Sequence, residues 1–114
     1  MIIIDTNILL ELKNVDIFDH LIDFLKYGEP VVLSSTIEEL KNIKNKNAKL
    51  ALDIIASQPI KIIQTSEKSA DKAILNIVKP GDAVVTNDKK LIKALKEKNI
   101  KVIRLRQRKY LVED

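Results

Sequence analysis

Five short runs of continuous apolar, β-favouring residues punctuate the chain: Met1–Ile4, Val31–Ser34, Ile60–Gln64, Ala83–Thr86 and Ile100–Arg104. A strand with one wet face alternates apolar and polar residues; these do not, which predicts strands covered on both faces. Helical periodicity fills the gaps. Ile17, Leu21, Ile22, Phe24 and Leu25 share one predicted helix face, and Leu50, Ile54 and Ile55 another. Ile74, Leu75, Ile77 and Val78 make a third, and Leu91, Ile92 and Leu95 a fourth. Strands alternating with helices demand right-handed crossovers, so the expected fold is α/β: a three-layer α/β/α sandwich around a mostly parallel five-stranded sheet. The only glycines, Gly28 and Gly81, each follow a helical run and precede a strand, where C-cap glycines belong. The 114 residues make one domain, 1–114, without repeat or linker. Only Lys41–Lys49 is of low complexity, and it reads as a solvated helix end and loop.

Composition removes whole classes of chemistry. There is no Cys, hence no disulfide, thiol nucleophile or thiolate metal site, and His20 is the only histidine. What remains is carboxylates, hydroxyls, amides and lysines. No apolar run approaches the ~18 residues of a membrane span, and the opening residues lack a secretory leader. Together with the missing cysteines, this leads us to expect a reducing, cytoplasmic setting and no membrane partner. The net charge of +4 is unevenly spread. Residues 1–57 carry six Lys against nine acids, whereas residues 58–114 carry fourteen Lys and Arg against seven. A basic half suggests a polyanionic partner, although lysines also simply coat solvated helices. With only Phe18, Phe24, Tyr27 and Tyr110 as aromatics, nucleic-acid contact should be with phosphate, not stacked bases.

In open α/β sheets, ligands bind beyond the carboxyl ends of the strands, so the residues that follow each strand matter most. Asp5-Thr6-Asn7 follows the first and Thr86-Asn87-Asp88 the fourth. Glu39 is expected one turn into the helix after the second strand, and Asp71 about two turns into the helix after the third. Each acid alone has an ordinary explanation, as a helix N-cap or as part of a solvated face. As a set they place four carboxylates at one sheet edge. There they repel one another unless a cation holds them, and an all-oxygen site suits Mg²⁺ or Mn²⁺.

Asp5-Thr6-Asn7 after an apolar strand, Glu39-Leu40, Ala70-Asp71 before an apolar helix, and Val84-Val85-Thr86-Asn87-Asp88 with Leu91 together resemble the PIN domain over essentially the whole chain. That resemblance implies a metal-dependent ribonuclease hydrolysing RNA phosphodiesters. Asp5, Glu39, Asp71 and Asp88 would be its catalytic metal ligands. Thr6, Asn7, Thr86 and Asn87 would orient those carboxylates. Where many members carry a second acid beside the third position, this chain has Lys72. The ending Val102–Val112 looks more like archaeal relatives of ribosomal-RNA-processing PIN nucleases than like VapC toxins.

RNA contacts are expected from Lys89 and Lys90 beside Asp88, and from Arg104, Arg106, Arg108 and Lys109. In an extended chain the three arginines fall at period two and project to one side, suiting phosphate contact; a charged edge strand that resists aggregation would look the same. Partners beyond RNA, namely a second copy of the chain, an antitoxin or a ribosome-assembly factor, stay open. So does the alternative of a PIN-fold scaffold that binds RNA or a partner with a weak metal site. Other strand-end chemistries fit poorly: a receiver domain wants an acidic pair where Asp5 meets Thr6, a dehalogenase-type phosphatase wants an acid at Asn7, and a nucleotide binder wants a Gly-rich first turn.

Overall fold

The computed structural model describes residues 1–114. β1 (Ile2–Ile4) leads into a short α1 (Thr6–Leu9), then α2 (Ile17–His20), which tightens into a 3-10 segment over Leu21–Tyr27. β2 (Pro30–Leu33), α3 (Ser34–Asn42), α4 (Lys46–Ser57), β3 (Lys61–Ile63), α5 (Ala70–Ile77), β4 (Ala83–Val85) and α6 (Lys89–Glu97) follow. The chain closes with β5 (Lys101–Arg106) and β6 (Tyr110–Glu113). The sheet order is β3-β2-β1-β4-β5-β6, with every pairing parallel except β5 with β6. The sandwich is therefore as expected, with six strands in place of five. The sixth forms because the chain turns back through Gln107 and Arg108, both with left-handed φ (54° and 52°). Tyr110 then pairs with Arg106.

Period two along the strands splits their side chains between two cores. Ile2, Ile4, Val32, Val85 and Ile103 pack with Ile8, Leu9, Ile17, Leu21, Leu40 and Ile55 from α1 to α4. Ile3, Val31, Leu33, Val84 and Val102 pack on the opposite face with Ala73, Ile74, Leu91 and Leu95 from α5 and α6. Both faces of the central strands are covered, which is why their sequences are apolar without alternation.

Three expectations need correction. β3 is an edge strand whose Lys61 and Ile62 are exposed, so its apolar run does not mark burial on both faces. Ile22 and Leu25 are 60% and 53% exposed, because a 3-10 segment turns every three residues and swings them off the face that buries Ile17 and Leu21. Gly81 sits in a turn four residues past the end of α5, so it is no C-cap. Gly28 does follow its helical segment directly. With φ 109° and ψ −162° it occupies a region open essentially only to glycine, and a Cβ there would lie 2.9 Å from the Met1 nitrogen.

Gly28→Ala should therefore destabilise the protein by about 1–3 kcal/mol. Gly81→Ala, whose Cβ would meet nothing within 4 Å, should cost less. Thermal melts of the two variants would check this; equal losses would mean that the close approach to Met1 contributes nothing.

Candidate active site

Because the chain steps from β1 outward to β2 and β3 and then returns to the other side of β1, the topological switch point lies between β1 and β4. Crevices open at such points, and here the loops after both strands carry acids. The Asp5 amide is still bonded to the Val85 carbonyl at 3.0 Å, which pins Asp5 against the end of β4. Its side chain is almost fully buried. Oδ1 accepts from the Thr6 amide at 2.8 Å and Oδ2 from the Thr86 hydroxyl at 2.7 Å. Burial raises the Asp5 carboxyl to about 6; the two hydrogen bonds pull it back in part, and Asp71 and Asp88 add repulsion.

Thr86 connects two acids, since its Oγ1 also accepts from the Asp88 amide at 3.1 Å. Asp88 caps α6: its Oδ1 accepts from the Lys90 and Leu91 amides at 2.9 and 3.1 Å. Asp71 stands in the first turn of α5, not two turns in, because the loop after β3 runs on to the N-cap Ser69 before the helix starts. Partial desolvation raises its carboxyl, and Asp88 and Glu39 push it further. Glu39 ties two other elements to the site. Its Oε1 accepts from the Thr6 hydroxyl at 2.8 Å and its Oε2 from the Ala70 amide at 2.9 Å, so it fixes the starts of both α1 and α5.

Asp5, Asp71 and Asp88 thus lie near enough across the switch point to repel one another, and Glu39 repels Asp71. Thr6 and Thr86 each donate a hydroxyl hydrogen bond to a carboxylate; Asn7 and Asn87 do not. Asn7 is exposed and makes no side-chain hydrogen bond. The Asn87 carboxamide bonds both the amide and the carbonyl of Leu105 at 2.9 Å, fastening the end of β4 to β5. Lys89, Lys90 and Lys109 are exposed. The arginines do not form one row: Arg104 and Arg106 stay on the α6 side of β5, whereas Arg108 lies in the turn with its Nε 3.5 Å from Glu11 Oε1. The left-handed turn breaks the period-two pattern there.

A hydroxyl cluster escaped the sequence reading. Ser34 Oγ accepts from the Thr65 amide at 2.8 Å, Ser35 Oγ lies 2.6 Å from Thr65 Oγ1, and the Ser35 amide donates to that same Oγ1 at 3.2 Å. This clamp holds the loop before α5 to the start of α3 and so sets where Asp71 stands. Its signal was present, since Ser34-Ser35 and Thr65 also come just after strands; hydroxyls are too common there to stand out.

As metal donors the acids fit in kind. They are oxygen-only and crowded, and Asp5 and Asp71 both resist ionisation, a strain that a bound cation relieves. No three of them close into a ready-made cage.

The sequence profile of the PIN-like domain family matches residues 2–108. The chain belongs to that family. As a PIN-like domain it is 38% identical over 92 residues to Ribonuclease VapC4 of Methanocaldococcus jannaschii, covering 72% of this chain and 70% of that protein. Its fold matches the PIN domain endonuclease Utp24 with a TM-score of 0.83 at 24% identity, over 99% of this chain and 90% of that one. The resemblance read from scattered acids is thus a family relationship.

With divalent metal chelated, ionised Asp5 burdens this PIN domain above pH 6. As pH falls through 6 toward the ordinary value of 3.8, the native state takes up the proton before the unfolded chain does, and that burden lifts. Asp5→Asn, which keeps an acceptor for the Thr6 amide, should then be more stable than wild type at pH 7.5 by up to about 3 kcal/mol. The gap should shrink by pH 5. Melts in EDTA across that range test it; a gap independent of pH would place Asp5 in the usual carboxylate range.

Proposed function

We propose that this PIN domain is a divalent-metal-dependent endoribonuclease that hydrolyses RNA phosphodiester bonds at the switch point between β1 and β4. The observation that carries this reading is Asp5, buried between Thr6 and Thr86 with its carboxyl raised to about 6 and with Asp71 and Asp88 facing it. A carboxylate kept at such cost, beside two others, is a functional arrangement more than a structural one. The 38% identical relative is a ribonuclease by name, which supports RNA as the substrate.

Asp5, Asp71 and Asp88, with Glu39 beside them, would hold Mg²⁺ or Mn²⁺. When bound, the ion supplies charge neutralisation at the phosphodiester and Lewis-acid activation of the attacking water. The chain's own contribution is to hold the donors still. Thr86 fixes Asp5 and the Asp88 backbone with one hydroxyl, while Glu39 couples Thr6 to the start of α5. Asp88 cannot drift, because α6 needs it as a cap. Lys89, Lys90 and Arg106 supply positive charge at the same sheet edge for the RNA phosphates.

Mn²⁺ should raise the melting temperature of wild type and leave Asp5→Asn and Asp88→Asn unmoved, since a ligand that binds only the native state stabilises it. In Mg²⁺ or Mn²⁺ the protein should cut RNA to products with a 5′-phosphate, with both variants at least about 100-fold slower. Products ending in 2′,3′-cyclic phosphate would show attack by the RNA's own 2′-hydroxyl instead. Unchanged, metal-independent RNA binding without cleavage would favour the scaffold reading.

A further inference from the structure

α6 presents Lys89, Lys93 and Lys96 at spacings of four and three, so all three leave one face of the helix. The helix starts beside Asp88 at the catalytic edge and runs back along the sheet, and from Lys89 to Lys96 the row spans about 10 Å. Across an open groove from it stands Arg104 of β5, with Ile92 between them. Arg106 continues the same face of β5 toward the catalytic edge.

Arg104 is half-buried, and its Nε has no acceptor. One anion is already seated in the groove. The Asp114 amide donates to the Val102 carbonyl at 2.8 Å, and its Oδ2 lies 3.0 Å from Lys96 Nζ, with 19% of the side chain exposed. Lys96 first, then Arg104 and Arg106, hold the Asp114 carboxyl below its ordinary value. Neither Lys89 nor Lys93 has an ion-pair partner, so cations remain in excess between Asp114 and the acidic site. Glu97 is the only other acid on the lining, and no aromatic ring is present for a base to stack on.

We propose that this groove is the track for the sugar–phosphate backbone of an RNA strand running from the acidic site, and that Asp114 stands at a phosphate position and weakens RNA binding until it is displaced. The proposal rests on the ribonuclease reading for its choice of RNA. A polyphosphate strand suits the groove better than a single carboxylate because the cations form a line that continues to Asp88, and because Arg104 and Arg106 offer planar forks that match phosphate oxygens. Without stacking or base-edge contacts, binding along the track is independent of sequence.

The test is fluorescence anisotropy of a labelled 12-residue oligouridylate on the full chain in EDTA, across a salt series. Wild type, Lys93→Ala/Lys96→Ala, Asp114→Asn and the charge-matched control Lys44→Ala/Lys46→Ala are compared. All replaced residues other than Asp114 are exposed, and alanine favours the helix that carries Lys93 and Lys96. The groove double variant should bind about 10-fold more weakly, with its log–log salt slope lower by about 1.4, the single-strand value for two phosphate contacts. Asp114→Asn should bind several-fold more tightly. The proposal is overturned if the groove variant matches the control, if Asp114→Asn leaves binding unchanged or weaker, or if polyglutamate of equal charge competes as well as RNA. That last result would make the groove an acidic-peptide site. Cleavage assays are scored separately: an intact nuclease with no groove effect sinks only the track, and a groove effect without cleavage sinks only the ribonuclease reading.

Discussion

The arrangement hangs on one unfavourable fact, a carboxylate held almost out of water at the end of the central strand. Asp5 cannot escape, because its amide is still part of the β1–β4 ladder and its side chain caps α1. Its two hydrogen bonds do not offset the lost hydration, so the carboxyl sits at about 6. Everything polar at this edge is organised around it. Thr86 serves Asp5 and the backbone of Asp88 with one hydroxyl, and Glu39 reaches Thr6 on one side and Ala70 on the other. The acids therefore come from four different strand–helix units yet are linked through Thr6, Thr86 and the start of α5.

That rigidity has its source in the layers beneath. Two apolar cores clamp the sheet from both faces, and β1, with no polar residue between Met1 and Asp5, lies at its centre. The ends of the strands are then cross-linked by short polar contacts: Asn87 to Leu105, and Ser34 and Ser35 to Thr65. The site depends on those ties as much as on the acids, since Asp71 itself accepts no hydrogen bond and is placed by the Glu39 bond to the Ala70 amide and by where its loop is held.

Charge follows the same division. The acidic residues of the first half supply Asp5 and Glu39, while the basic second half places its lysines along α6 and its arginines along β5. The two signs meet where β4 passes into α6, with Asp88 followed at once by Lys89 and Lys90. Under the proposed function, the basic flank would draw in a polyanion and the crowded acidic edge would take a cation.

Much of this was legible in the residues. Continuous apolar runs alternating with helical periodicity determined an α/β sandwich, because a strand covered on both faces has no use for polar residues. The order in which acids follow the strands placed these carboxylates at one sheet edge, because strands in a parallel sheet all end there. The sequence alone could not show that β3 lies at an edge, since an apolar run looks the same there as at the centre. Nor could it show that Arg108 parts company with Arg104 and Arg106, because nothing in Gln107-Arg108 announces a left-handed turn. The partners of Asn87, Ser35 and Asp114 lie 18, 30 and 18 residues away respectively. Contacts of that span are set by how layers pack and strands pair. Local pattern is written in neighbouring residues, whereas the company each side chain keeps is decided only when distant segments close on one another.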